Sequence, residues 1–246
     1  MTEGNNKRIF LAGATGAIGR RLCRLLVHDG WQVTGTTRSA AKLPLLLELG
    51  VEPVVVDVFD GEALTEAARA AQPSVVIHQL TDLPPALDPA RMADALARNA
   101  RLRDVGTRNL VAAAAAAGAS RMVAQSVAFA YAPGPLPYDE ERPLNLDDPV
   151  FGPTARGVAS LEQQVLAGPF TGIVLRYGKL YGPGTGFDEP PAGGPLHVDD
   201  AADAARRAAM RGKAGIYNIA EDDGTVRIGR AAAELGWTPG FRLSGD

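Results

Sequence analysis

The chain has 246 residues, 46% of them hydrophobic, and its 25 basic and 28 acidic residues give a formal net charge of -3. This size and apolar content suffice for a sizeable core, and the weak acidic charge offers no long-range attraction for nucleic acid or an anionic membrane. Cys23 is the single cysteine, which excludes an internal disulfide and a cysteine-only metal site. No stretch resembles a membrane span or a secretory signal. We therefore expect a cytoplasmic globular protein without a metal, membrane or nucleic-acid partner.

The first two thirds of the chain alternate β-rich runs with helical segments, which is the pattern of a parallel sheet flanked by helices. We predict strands at 8–12, 31–37, 52–56, 74–79, 121–126 and 171–177. We predict helices at 17–29, at 61–71, at 92–117 and at 154–167, and a Leu-rich helix between the second and third strands that ends at Gly50. The strands are continuous apolar runs, which indicates that both faces of the sheet are covered. The predicted fold class is α/β with a doubly wound parallel sheet of the Rossmann type, and His78 is expected to be a buried core histidine.

Glycine and proline dominate two later stretches of the chain. The first, at 132–153, predicts a long loop, and the second, at 184–195, precedes a predicted helix at 199–211 and a strand at 215–220. We interpret the chain as one unit with two parts. The core is predicted to span about 7–177 and 197–212, and a reduced C-terminal lobe about 178–196 and 213–246.

The segment GATGAIG at 13–19 lies directly between the first strand and the first helix. A dinucleotide pyrophosphate needs backbone N–H groups at close range and a helix N-terminus that points toward it, so side chains at the glycine positions would interfere. Ala14 departs from the G-x-G-x-x-G fingerprint, and a purely structural turn is the alternative. The residues expected to contact a dinucleotide here are Gly13, Thr15, Gly16, Ala17, Ile18 and Gly19.

Two further positions indicate how the adenosine half of such a cofactor is held. Arg38 follows the second predicted strand, where an NAD-binding fold usually carries an acidic residue. Arginine pairs with a 2′-phosphate, which favours NADP(H) over NAD(H), although an ordinary exposed arginine is the alternative. Asp57, followed by Val58, ends the third predicted strand and is a candidate acceptor for the adenine amino group. A helix cap is the rival interpretation, for which Asp60 is better placed.

Eight segments, in this order along the chain, carry a family resemblance. They are GATGAIG at 13–19, DV at 57–58, VVIHQL at 75–80, GTRNLVAAA at 106–114, AQSVAFAYA at 124–132, LRYGKLYGPG at 175–184, HVDDAADAA at 197–205 and ELGWTP at 234–239. In these segments the chain resembles the extended short-chain dehydrogenase/reductase family, in its NAD-dependent epimerase/dehydratase branch. The resemblance implies a Rossmann-type core, a small substrate lobe, dimers through the long helices, and cofactor contacts from Gln79, Leu80 and Thr81.

The resemblance also implies a catalytic Ser or Thr after the fifth strand and a Tyr-x-x-x-Lys pair on the next helix, in which the tyrosine passes a proton. Ser126 matches the serine. The glutamate that follows the lysine by four residues matches Glu162, which puts Val158 at the lysine position and Thr154 at the tyrosine position. Neither residue can act as an acid near neutral pH.

Several replacements for this acid are open. Tyr131 or Tyr138 could donate a proton, Arg103 or Arg156 could stabilise a developing oxyanion, or a substrate with its own acidic group needs no protein acid. Packing is the alternative for both tyrosines. Our hypothesis is an atypical NADP-preferring oxidoreductase that acts on a small carbonyl or hydroxyl compound. Its rivals are an NADP-binding sensor without turnover and a non-redox lyase or cyclase.

Overall fold

The computed structural model describes residues 7–84 and 87–244. The strands are β1 (Arg8–Ala12), β2 (Gln32–Thr37), β3 (Glu52–Val55), β4 (Val75–His78), β5 (Arg121–Val127), β6 (Thr171–Tyr177), β7 (Lys179–Tyr181), β8 (Pro195–His197) and β9 (Gly215–Ile219). The α-helices are α1 (Ala17–His28), α2 (Leu43–Glu48), α3 (Gly61–Ala71), α4 (Met92–Arg101), α5 (Thr107–Ala116), α6 (Gly152–Leu166) and α7 (Val198–Met210). Within these described ranges, no helix is long and apolar enough to cross a membrane.

One parallel sheet forms the centre of the protein. Its strand order is β3-β2-β1-β4-β5-β6-β9, and every neighbouring pair is parallel. Alternate residues of β1 pack on opposite faces: Ile9 and Leu11 belong to the cluster that contains α1 and α7, whereas Phe10 and Ala12 belong to the cluster that contains α3 and α5. Helices therefore cover both faces, which confirms the predicted doubly wound α/β fold.

The C-terminal part of the chain extends the core further than its sequence suggested. β9 pairs with β6 as the seventh strand of the main sheet, and Trp237 is fully buried, with its indole Nε1 donating to the Asp200 carbonyl at 3.0 Å. Part of the range 213–246, which was predicted to belong to the reduced C-terminal lobe, therefore packs with the main sheet. Tyr217 and Ile219 are apolar enough to be buried, but the sequence does not reveal which sheet receives them. What remains outside the main sheet is the small parallel pair of β7 and β8.

The long helix predicted at 92–117 is interrupted by a π turn. Leu102–Gly106 makes this turn between α4 and α5, so the prediction of one regular α-helix was wrong in its middle. Gly106 lies against the chain that follows β3, since a Cβ at this glycine would be 3.1 Å from Val58 Cγ1. π turns inside α-helices are frequent at functional sites.

Candidate cofactor and active site

A cleft of about 460 Å³ opens where β1, β2 and β4 end. In an open parallel sheet this edge, beside the point where the strand order reverses, is the usual ligand position. The cleft is lined by the glycine turn, the end of β2, the segment after β4, and Leu102 of the π turn. The predicted cofactor residues that line it are Gly13, Thr15, Gly16, Arg38, Val58, Gln79, Leu80 and Thr81. The predicted residues outside its lining are Ala17, Ile18, Gly19 and Asp57.

The glycine turn is tightened by two close backbone approaches. Gly13 has φ +94°, and a Cβ there would be 2.6 Å from the Gln79 carbonyl oxygen. A Cβ at Gly19 would be 2.1 Å from the Gly13 oxygen, so Gly19 serves the packing of α1 against the turn although it does not line the cleft. Gly16 is the N-cap of α1 and adds no side chain above the helix N-terminus. Backbone N–H groups at this end are therefore open to an anionic group.

Ala14 is fully buried, on the core side of the turn. A Cβ at Gly35 of β2 would come within 2.8 Å of the Ala14 Cβ, which shows how closely the turn and β2 pack. Alanine in place of the usual glycine is thus accommodated away from the cleft. Ile18 is buried in the same core cluster, and Ala17 packs against that cluster. These two residues position α1, on which the cleft depends.

The far end of the cleft, beyond β2, is basic. Arg38, Ser39 and Lys42 line it, and Arg38 is about half exposed. One carboxylate, Asp82, faces this end: its Oδ1 is 3.7 Å from Arg38 Nη2, and its Oδ2 is 3.3 Å from Arg98 Nε. Sequence reasoning missed Lys42, which lies on the first turn after β2 and could have been found by continuing four residues past Arg38.

Asp57 lies in a turn beside the cleft. Its Oδ1 accepts a hydrogen bond from the Phe59 N–H at 2.9 Å, and the side chain is exposed. Asp60 is the N-cap of α3 and accepts from the Ala63 N–H at 3.0 Å, which confirms the cap assignment. The cleft is lined by the neighbour, Val58.

Gln79 brings an unsatisfied polar atom to the cleft. Its Nε2 donates to Tyr177 Oη at 3.2 Å, and this hydroxyl in turn donates to the Ala201 carbonyl at 3.1 Å. Its Oε1 is buried, and no described residue donates a hydrogen bond to it. Buried acceptors are almost always paired, so this atom fits the N–H or O–H group of a bound ligand. Together with the glycine turn, it makes the cleft suitable for a dinucleotide.

Ser126 belongs to a buried ion pair. Its Oγ donates to Glu162 Oε1 at 2.7 Å. Arg176 donates two hydrogen bonds to the same carboxylate, from Nε to Oε1 at 2.8 Å and from Nη2 to Oε2 at 2.7 Å. All three side chains are buried. Burial by itself lowers the pKa of Arg176, but the hydrogen bonds and charge of Glu162 outweigh it and raise this pKa. Ser126 is therefore held as a donor to the ion pair, and it does not line the cleft.

Tyr131, the candidate proton donor, is also engaged. Its hydroxyl donates to Asn218 Oδ1 at 2.6 Å, and the Arg176 guanidinium lies 4.9 Å from the centre of its ring. Burial raises the pKa of this phenol. The ring of Tyr138 packs against it, with centroids 5.4 Å apart. These three contacts agree with the packing interpretation of these tyrosines.

The positions that the family resemblance assigns to tyrosine and lysine lie on α6. Val158 is fully buried in an apolar cluster with Val127, Ala130 and Ala155. Thr154 is buried one turn earlier. A lysine at 158 would lose its hydration in these surroundings, at a cost of several kcal/mol, whereas valine fits them.

His78, at the end of β4, has partners at both ring nitrogens. Nδ1 accepts from the Leu80 N–H at 3.2 Å, and Nε2 lies 3.0 Å from Thr107 Oγ1. Burial, with a smaller contribution from the charge of Arg103, lowers its pKa to about 4. This confirms the expectation of a satisfied core histidine, which is neutral at physiological pH.

Comparison with known sequences identifies the family. Residues 13–183 match the family model described as NAD(P)H-binding. A 3-diazoavenalumate denitrifying reductase from Streptomyces sp is 43% identical over 238 residues, which cover 88% of this chain and 76% of that protein. A ceramide reductase from Caulobacter vibrioides is 28% identical over 176 residues, which cover 72% of this chain and 47% of that protein.

Solved structures agree with the fold. A UDP-glucose 4-epimerase from Thermotoga maritima, crystallised with UDP-glucose, superposes with a TM-score of 0.75 at 18% identity, covering 94% of this chain and 93% of its own. The Bordetella bronchiseptica enzyme WbmG, in complex with NAD and UDP, gives a TM-score of 0.76 at 16% identity, covering 99% and 92%.

Proposed function

We propose that this chain, which belongs to the NAD(P)H-binding family, is an NADPH-dependent reductase that removes the diazo group of an arene as dinitrogen. Its fold is that of epimerase/dehydratase-type short-chain dehydrogenases/reductases. The observation that carries this proposal is the apolar packing on α6. Val158 is buried in an apolar cluster, and Thr154 is buried one turn before it. These are the two positions at which a ketone reductase of this family has its proton-donating pair.

The two reactions differ in their need for a proton. Reduction of a ketone to an alcohol adds a hydride to carbon and a proton to oxygen, and a positioned acid accelerates the second transfer. An aryl diazonium that receives one hydride from bound NADPH exchanges its C–N bond for a C–H bond, releases dinitrogen, and takes up no proton. A site without an acid is adequate for the second reaction and deficient for the first.

A similar sequence of named activity supports the same reaction class. The relative from Streptomyces sp is named for reductive denitrification of a diazo compound, and 43% identity extends over most of both chains. This comparison and the missing acid are independent of one another. Together they favour a diazo arene over the small carbonyl or hydroxyl compound that the sequence suggested.

The basic end of the cleft supports NADPH as the reductant. Arg38 and Lys42 offer two cations where an NAD-specific site places a carboxylate for the ribose hydroxyls. Asp82 is already shared by Arg38 and Arg98. In this proposal the glycine turn holds the diphosphate, the N-terminus of α1 supports its charge, and Arg38 holds the 2′-phosphate.

The test is a labelled turnover experiment. The purified protein is mixed with 4-hydroxybenzenediazonium and NADPH deuterated at either face of C4, and the phenol produced is analysed by mass spectrometry. We expect deuterium on the ring from one face only, together with one dinitrogen released for each NADPH oxidised. The exposed-surface variant Arg69→Ala is the matched control and should behave like the wild type.

Three other outcomes would contradict the proposal, and they differ from one another. Loss of dinitrogen with hydroquinone as the product, in place of phenol, would indicate spontaneous hydrolysis of the diazonium. Tight NADPH binding without any turnover would favour the sensor. Conversion in the absence of NADPH would favour the non-redox enzyme.

A further inference from the structure

Arg103 is a buried cation without a partner of its own. It lies on the π turn between α4 and α5, its relative exposure is 8%, and within residues 7–84 and 87–244 it makes no hydrogen bond or ion pair. Its chain neighbour Asp104 is already occupied, because Asp104 Oδ1 accepts from Arg108 at 2.8 Å and from Ser160 at 2.9 Å. A guanidinium that is mostly removed from water is costly unless a ligand or ion compensates part of its charge.

The groups around Arg103 do not neutralise it. Glu162 is close enough to raise the pKa of Arg103, yet both of its carboxylate oxygens are bound by Arg176, and one also accepts from Ser126. His78, on the other side, is neutral and already bonded at both nitrogens. Glu140 lies beyond Arg176, where its Oε1 accepts from the Asn218 N–H at 2.9 Å. Burial lowers the pKa of Arg103 to about 10, so the guanidinium stays charged at neutral pH.

This cation lies beside the cleft. Arg103 does not itself line the cleft, but its chain neighbour Leu102 does, and so does Leu80, whose N–H is bonded to His78. Arg103 thus stands between the end of β4 and α6. On α6 the apolar side chain of Val158 occupies the position that a lysine would charge.

We propose that the Arg103 guanidinium binds an anionic oxygen of the substrate, an aryl oxide or a carboxylate carried on the diazo arene. This inference rests on the proposed function and names the class of substrate that the site selects. Guanidinium presents paired N–H donors that match such an oxygen, and the bond is strong where water is excluded.

A contact between Arg103 and the oxide would affect the reactivity of the diazonium group. An oxide conjugated with a diazonium donates its electrons into the ring, which makes the diazonium a weaker hydride acceptor. Hydrogen bonds from Arg103 hold the negative charge on oxygen, so the diazonium keeps its electrophilic character. The oxide stays unprotonated throughout: the ring gains a hydride, loses dinitrogen, and no proton moves to or from the guanidinium.

The experiment compares three substrates in the wild type and in Arg103→Met, which keeps the length of the side chain and removes its charge. The substrates are 4-hydroxybenzenediazonium, 4-carboxybenzenediazonium and unsubstituted benzenediazonium. We expect kcat/KM to fall about a hundredfold for the compound whose anion Arg103 binds, and far less for the unsubstituted one. The compound that suffers the loss identifies the anion as oxide or carboxylate. Arg108→Met, an exposed arginine on α5, is the control.

Equal losses on all three substrates, or a parallel loss of NADPH affinity, would overturn the inference while the proposed function stands. Should Arg103→Met fail to fold, Arg103→Lys replaces it, because lysine keeps the charge but not the paired donors. We then expect a smaller loss of kcat/KM that is confined to the same substrate. A second readout does not depend on turnover. The absorbance of 4-nitrophenol bound with NADP⁺ reports its ionisation, and we expect the wild type, but not Arg103→Met, to lower its apparent pKa by about one unit. A shift without any diazo reduction would support Arg103 and reject the proposed function.

Discussion

The two halves of the sheet edge differ in how far their residues match the family pattern. At β1 and β2 the backbone forms the turn that the family resemblance implies, and its close contacts leave room for glycine alone at Gly13 and Gly19. At β5 and α6 the side chains differ from those that the resemblance implies: Val158 is apolar, and Ser126 is bonded to an ion pair. The glycine turn depends on backbone geometry that few sequences satisfy. A proton-donating site depends instead on particular side chains, which a reaction without proton transfer does not need. Four predictions test this contrast.

The largest effect is expected in the glycine turn, where Gly19→Ala should abolish cofactor binding. The new Cβ would start 2.1 Å from the Gly13 oxygen and 2.9 Å from the Ala14 carbonyl carbon, so α1 must move away from the turn. We expect NADPH binding, followed by fluorescence titration, to become unmeasurable. Gly229→Ala is the matched control, because no atom lies within 4 Å of a Cβ built there. Wild-type affinity in Gly19→Ala would show that the turn is less constrained than its geometry indicates.

The next largest effect is a loss of stability at β5 and α6, from Glu162→Gln. This change leaves Arg176 buried without its carboxylate, and we expect the free energy of unfolding to fall by about 3–5 kcal/mol. Denaturant unfolding measures it. Arg108→Ala breaks an exposed pair with Asp104 and should cost less than about 1 kcal/mol. Similar losses in the two variants would mean that the buried pair contributes no more than a surface pair.

A pH effect of intermediate size is expected from His78. Its pKa is about 4 in the folded protein and about 6.5 when unfolded, so between these values the unfolded chain binds a proton that the folded protein excludes. Stability from this group is complete above pH 6.5 and is lost as the pH falls toward 4, by about 3 kcal/mol in all. Denaturant unfolding between pH 7 and pH 4 measures the loss. His78→Asn should lack this part of the slope, and identical slopes would remove His78 as its source.

The smallest effect is expected from Arg38→Ala. Arg38 is half exposed, which weakens its pairing with a phosphate, so we expect the Kd of NADPH to rise about tenfold, equivalent to about 1.4 kcal/mol. The Kd of NADH should change less than about twofold. Parallel titrations measure both values. Equal changes for the two cofactors would contradict the assignment of Arg38 to the 2′-phosphate.

The sequence predicted the parts of this protein that depend on local patterns. The glycine turn follows a β-rich run and opens an amphipathic helix, so both its position and its ligand class could be inferred. Lys42 was missed although the local sequence contained it. The partnership of Ser126 with Glu162 and Arg176 could not be inferred, because it joins three elements that are distant in the chain.

The unpaired state of Arg103 was also beyond the sequence, for a different reason. Its type and position suggested an oxyanion contact, but only the structure shows that the nearby carboxylates are occupied. The same limit applies to β9, whose apolar residues predicted a strand without indicating that β6 would receive it.

The π turn gives the protein a kind of vulnerability that no point substitution shares. A turn of this form holds one more residue than an α-helical turn, so deleting one residue within 102–106 would let an ordinary helix continue from α4 into α5. The wider turn absorbs this additional residue, so α4 and α5 would keep their relative orientation after the deletion. The side chains within 102–106 would change direction, and they include Leu102, which lines the cleft, and Arg103. In-frame loss of a single codon would therefore alter this side of the cleft while composition, charge and the flanking helices stay almost unchanged.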